Sequence, residues 1–209
     1  MAEMERNLQQ ASSKESNVTV KSLAGDYNNF KTFAWRALTT IRSQVELLIC
    51  SLDRLDSHSR RKVLLIHGVR EGTDDNNHLQ QVLTVFEKQM KLPPFNPETI
   101  ESCHRLGVKK DKSRPILVRF SSMQQRMLVW RNKTSLKGTK ITVTEFLTKI
   151  RQDVFVAARK HFGVKNSWTS DGVVTVLLKD KTRRKVYSMS ELQQLVRGQS
   201  SGAGAVRDA

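Results

Sequence analysis

Apolar positions along this chain change period from one stretch to the next, and each change marks a predicted element. Leu38, Ile41, Val45, Leu48, Leu52 and Leu55 alternate at spacings of three and four, a heptad seam that predicts an amphipathic helix. Extending the register backward puts Ala34 and Lys31 on the same line, so a clean seam covers about three heptads. Leu47 and Ile49 flank it, and Phe30, Phe33 and Trp35 lie upstream. Such a helix either packs on its own domain or pairs with another copy. Because the charged residues sit largely outside the seam, a coiled-coil helix over 23–57 that self-associates is the expectation, as dimer or trimer. The polar, unpatterned residues 1–22 are expected to be disordered.

From Ser57 the pattern shortens to strand length. A basic connector (SHSRRK) leads into VLLIHGV (Val63–Val69), an apolar run with the look of a buried central strand. A turn at Glu71-Gly72-Thr73-Asp74 follows, with Asp74 or Asp75 as cap of a helix over about 77–91 whose apolar stripe is Leu79, Leu83, Phe86 and Met90. Pro93, Pro94 and Pro97 end that helix. ESCHRLG and RPILVRF then read as two strands around a basic loop. In the second strand Ile116, Val118 and Phe120 share one face, and Leu117 and Arg119 the other. Ser121 or Ser122 caps a second helix, predicted with Met123, Met127 and Trp130 inward and Arg126, Arg131 and Lys133 outward. A turn at 136–140 and a short strand (Ile141-Thr142-Val143) complete a β-α-β-β-α-β order over 60–144. That is the split βαβ arrangement of the ferredoxin-like superfold, to which RNA-recognition domains belong.

A smaller unit is expected over 145–197. Leu147, Ile150, Val154, Ala157 or Ala158, and His161 line one face of a helix that Gly163 can end. Trp168 and the Asp171-Gly172 turn lead into VVTVLL and a hairpin back through Arg183–Tyr187. Ser188-Met189-Ser190-Glu191 fits a capping box for a last helix through Val196. A unit this small needs the preceding domain to lean on, and residues 198–209 are expected to be a flexible tail. The fold class predicted is α+β: a coiled-coil helix, a ferredoxin-like domain of the RNA-recognition type and a small α/β C-terminal domain.

Charge changes the picture more than composition does. Over 209 residues, Lys plus Arg is 36 against 20 for Asp plus Glu, a formal net charge of +16. Residues 1–56 carry seven basic and seven acidic side chains, and beyond Gly198 only Arg207 and Asp208 are charged. The whole excess therefore lies in 57–198, the folded part, which suits a phosphate-rich partner. Five cations crowd one turn and its borders, Arg105, Lys109, Lys110, Lys112 and Arg114, interrupted only by Asp111. Other candidate phosphate-binding cations at element ends are Arg61, Lys62, Lys133, Lys137 and Lys140. Aromatics are sparse at 6%. The two strands that carry base-stacking rings in ordinary RNA-recognition domains hold only Phe120 and a histidine, His67. Binding is therefore expected to be mainly electrostatic, with weak sequence preference.

No catalytic constellation is legible. His58, His67, His78, His104 and His161 are scattered, and adjacent Cys103 and His104 on one strand point to opposite faces and cannot share a metal. There is no Walker loop, GxSxG or HExxH. No enzymatic activity, metal or cofactor is expected. Two cysteines offer no disulfide framework. No apolar run is long enough to span a bilayer and the first residues lack a signal-peptide core. No membrane insertion is expected, and a cytoplasmic location, with access to the nucleus, is.

A strand ending in Gly, HRLG, RPILVRF, a helix, LKGTKI, TEFL, a helix with AARK, W-x-x-DG and a C-terminal hairpin follow one another from Val63 to Val196. In that order they resemble the first open-reading-frame protein of LINE-type retrotransposons and, more distantly, the baculovirus few-polyhedra protein. The resemblance implies a trimeric coiled coil and two domains that jointly clamp single-stranded RNA, or DNA, into a ribonucleoprotein and act as a nucleic-acid chaperone. It implies phosphate-binding roles for Lys109, Lys110, Lys112, Arg114, Arg119, Arg131, Arg159 and Lys160. Several family arginines are lysines here, which keep the charge but lose bidentate geometry, and the coiled coil is shorter than is usual in the family. The expected site is a cleft between the two domains, with the basic loop at its mouth and Arg159-Lys160 on the opposite wall. The rival expectation is an oligomeric scaffold or adaptor, few-polyhedra-like, that works through protein partners.

Overall fold

A computed structural model of the chain describes residues 5–6, 20–71, 77–109 and 113–201. The expected cap at Asp74 or Asp75, the loop residues Lys110, Asp111 and Lys112, most of segment 1–22 and the end of the tail lie outside the described residues. The protein is α+β, with a long N-terminal helix followed by two antiparallel sheets. It forms two compact units, Met1–Ser51 and Leu52–Ala209.

The first described element, α1, is one helix over Val20–Ser59. It takes in residues 20–22, which the polar N-terminal pattern had assigned to disorder. Its seam is open: exposure runs from 47% at Val45 to 70% at Leu55, and Leu38, Ile41, Leu48 and Leu52 fall between. Phe33 and Trp35 are also exposed. No described helix is long and apolar enough to cross a membrane.

In the second unit, β1 (Val63–His67), α2 (His78–Thr84), β2 (Ile100–Arg105), β3 (Ile116–Phe120), α3 (Met123–Arg131) and β4 (Thr142–Glu145) build a sheet of order β2-β3-β1-β4. Every neighbouring pair is antiparallel. β1 is central because Val63, Leu64 and Ile66 can all be buried there. Leu64, Ile66, Ile116, Val118, Phe120 and Val143 face both helices and form one core with Val82, Phe86, Met90 and Val129. Phe86, Phe95 and Phe120 meet at centroid distances of 5.2 to 6.2 Å. α2 passes into a π-helical turn at Val85–Gln89; this widened turn admits Val82 and Val85 beside the predicted Leu83, Phe86 and Met90, while Leu79 is only half-buried. At the end of β1, Gly68 has φ 84° and a Cβ there would lie 2.0 Å from the Lys140 carbonyl oxygen, so only glycine fits.

The second sheet, β5-β6-β7, comprises β5 (Ser167–Ser170), β6 (Val173–Leu177) and β7 (Arg183–Val186). The sequence pattern had shown only the last two. Asp171 and Gly172, with φ 52° and 74°, make the two-residue turn between β5 and β6. α4 (Lys149–Phe162) and α5 (Met189–Ser201) cover one face, and Val154, Ala158, Val174, Val176, Val186 and Leu192 form the core. The Ser188–Glu191 box is present, with the Glu191 amide donating to Ser188 Oγ at 3.2 Å and the Tyr187 amide to Glu191 Oε2 at 2.8 Å. α5 runs on through Ser201, past the expected end at Val196.

Two helix faces differ from expectation. On α3 the buried residues are Val129 and Arg126, the latter predicted to point outward; Met123, Met127 and Trp130 are half-buried. On α4 Val154 and Ala158 are buried as read, but Arg151 is buried too, while Ile150 and His161 are exposed. Both arginines turn inward because carboxylates wait for them. Arg126 binds Glu145 and lies 3.8 Å from Asp171. Arg151 binds Asp53 at 2.8 Å and donates to the Gly172 carbonyl at 2.8 Å. The Gly172 amide donates to Glu145 Oε2 at 3.2 Å, and Asp53 also receives the Thr148 hydroxyl at the head of α4. One polar network thus ties the end of α1, the first sheet and the second sheet together.

Candidate nucleic-acid interface

The cations singled out in the sequence separate into three groups by environment: engaged, partly occupied and exposed. Arg105, at the end of β2, is buried: its guanidinium donates to the carbonyls of Val69, Arg114 and Arg70 at 2.9, 2.8 and 3.0 Å and to Gln81 Oε1 at 2.8 Å. It is a staple for the loops it sits between, which corrects its assignment to phosphate. Arg114 is likewise engaged. Its backbone amide and Nε reach Glu71 Oε1 at 2.7 and 3.1 Å, and its Nη2 reaches Oε2 at 3.2 Å. These bonds hold the Glu71 carboxyl down to about 2, from an ordinary 4.5.

A carboxyl depressed in the folded state contributes stability above its unfolded pKa and loses it as pH falls through the folded value. We expect the Glu71–Arg114 clamp to weaken between pH 4.5 and about 2. Acid titration of the folded chain, followed by urea midpoint, checks this: Glu71→Gln should be less stable than wild type at pH 7, and the gap should close across that window.

Other cations are partly occupied. Lys62 donates to the Ser121 carbonyl at 2.7 Å, and Arg119 Nη1 lies 3.5 Å from the Ser59 carbonyl. Lys133 Nζ sits 3.1 Å above the Trp130 ring, half-buried, and burial lowers its pKa. Arg61, Lys109, Arg131, Lys137, Lys140, Arg159 and Lys160 are exposed to solvent.

A cleft of about 760 Å³ opens between the first sheet and α4–β5. One wall is Lys133, Lys137 and β4; the other is Gln152, Phe155, Arg159 and Trp168; Phe146 and Leu147 lie between. No described residue of 105–115 lines the cleft, because that loop joins β2 to β3 whereas β4 is the opposite edge of the sheet. Arg159 shares the cleft with Lys133 and Lys137; the expected partners Lys110 and Lys112 lie outside the described residues. His67 also reaches the cleft; its Nε2 is 2.8 Å from Thr144 Oγ1, and burial lowers its pKa.

Sequence reasoning missed the aromatic content of this site. Trp130, Phe146, Phe155 and Trp168 all line the cleft and all are half-buried. Each has a cation over its ring: Lys133 on Trp130 at 3.1 Å, Arg60 on Phe146 at 4.2 Å, Arg159 on Phe155 at 4.3 Å and Arg183 on Trp168 at 5.8 Å. The helical spacings of Phe155 to Arg159 and Trp130 to Lys133 were the available signal. No group of three or more metal-ligating side chains occurs among the described residues. A basic, aromatic-lined cleft between two antiparallel-sheet lobes is the class of site the geometry defines. No family model and no curated protein matches the chain.

Proposed function

We propose that this chain is a non-enzymatic protein that binds single-stranded RNA, or DNA, and acts as a nucleic-acid chaperone. In this reading the first sheet and its helices are a ferredoxin-like domain of the RNA-recognition type. The second sheet is the C-terminal domain of a LINE-type first open-reading-frame protein or of an element derived from one. The observation that carries the reading is the cleft: exposed Lys137 and Arg159 at its walls, aromatic rings along it, and the net charge of +16 confined to 57–198. In this reading the exposed cations supply affinity through counterion release. Ultraviolet crosslinking of the full chain to cellular RNA, with identification of the crosslinked peptides, tests it. Crosslinks in the segments holding Trp130, Phe155 and Trp168 are expected; crosslinks only in 1–56, or none, would refute it.

The open seam of α1 supports self-association, with copies burying Leu38, Ile41, Val45, Leu48, Leu52 and Leu55 against one another. The same exposure also favours the second reading, a scaffold that lays this helix on a different protein. Sedimentation equilibrium of the full chain separates the two. A discrete dimer or trimer that Leu48→Asp dissociates is expected, and a monomer at micromolar concentration would favour the scaffold.

A further inference from the structure

Trp168 belongs to β5 but to neither hydrophobic core. Ser167, its neighbour on the strand, is buried opposite Val176 on the core side, so Trp168 projects to the other face of the sheet. Across that face, Trp168 pairs with Thr175 and Thr175 pairs with Lys185. Directly opposed residues share a face at strand spacing, so a single row runs from an indole over a small buried threonine to an exposed lysine. Arg183, also exposed, comes within 5.8 Å of the indole, and Arg159 lines the same cleft. A large ring left half-open in the cleft, unused by either core, with Arg183 beside it, Lys185 along the same row and Arg159 in the same lining, has the make-up of a platform for a flat, electron-rich group joined to phosphates.

Resting on the single-strand reading above, we infer that Trp168 is a stacking platform for an unpaired nucleobase, with Arg159, Arg183 and Lys185 beside it for the flanking phosphates. The strand then enters the cleft with its bases inward, and affinity has a part that depends on bases as well as the part that depends on charge. Base–aromatic stacking is sequence-tolerant because every base has a π-face. The site therefore selects unpaired over paired strands without choosing a sequence. It adds Arg183 and Lys185 to the contact surface, neither of which the charge pattern of the sequence singled out.

The test uses the full chain and two single-stranded RNAs of equal length and phosphate count, one intact oligouridylate and one with regularly spaced abasic sugars. Wild type should bind the abasic strand about tenfold more weakly, the loss of roughly one stacked base. Trp168→Leu should bind the intact strand about tenfold more weakly than wild type does, with an unchanged salt slope and no further loss on the abasic strand. Trp168→Phe should retain most of the discrimination. Equal affinity of wild type for the two strands overturns the inference while leaving charge-driven binding in place, and this comparison needs no variant to fold. Full affinity of Trp168→Leu for the intact strand overturns it as well. Binding of neither strand by wild type would overturn the single-strand reading and the inference together.

Discussion

Replacing Arg126 by Met, or Glu145 by Gln, one at a time, should destabilise the second unit by about 3–5 kcal/mol, the usual cost of stranding one partner of a buried ion pair. Both side chains are almost fully buried, at 2% and 3% exposure, and each bonds the other. Glu145 is also the acceptor for the Gly172 amide, and Arg126 approaches Asp171. A single substitution therefore leaves a buried charge and loosens the turn that joins β5 to β6. Against a typical domain stability of about 5–15 kcal/mol, such a loss is large. Changing both residues together, Arg126→Met with Glu145→Leu, should recover much of the loss, since a buried pair is often no better than an apolar one of similar volume. Urea unfolding of the single and double variants measures this. Additive losses would mean the two do not act as a pair. The effect on function follows from position: Glu145 ends β4, which is one wall of the cleft, while Asp171 and Gly172 close the hairpin that begins with Trp168. The network thus fixes the width of the cleft by holding its walls.

Much of the strand framework was legible because alternation is a local property. Ile116, Val118 and Phe120 against Leu117 and Arg119 separated the two faces of β3 correctly, since a strand buried against helices on one side needs apolar residues every second position. The charged core was not legible. Arg126 was read as outward because periodicity treats arginine as polar, and its partner lies 19 residues away on another element. Arg105 was misread in the same way, since it staples carbonyls from two separate segments, and nothing local marked Arg151 as buried, because its partner Asp53 lies 98 residues earlier. The described ends of loop 105–114 lie at the β2–β3 edge, and strand order is a property of the whole sheet that no single run reveals. Aromatic residues were discounted by their low frequency, whereas the fold gathers four of them into one place.

The second large effect concerns binding. Lys137 and Arg159 are exposed and stand on opposite walls of the cleft, so Lys137→Glu with Arg159→Glu replaces two cleft-lining cations by two anions. Both lie outside the buried network and neither contributes to a core, so the fold should survive the change. Affinity for single-stranded RNA should fall by about tenfold or more at physiological salt, roughly equally for unrelated sequences. A loss confined to one sequence would contradict an electrostatic role for these residues. The salt dependence should become shallower as well, by about 0.7 for each contact removed.

The central claim, that this cleft holds a single strand through its phosphates, is tested most directly by the affinity of the full chain for single-stranded RNA across a range of salt concentrations. With six to ten phosphates neutralised, the logarithm of the binding constant should fall linearly with the logarithm of salt concentration, at a slope of roughly −4 to −7. The doubly charge-reversed chain should show a slope smaller in magnitude by about 1.4. A flat dependence for wild type, or the same slope for both proteins, would contradict the account.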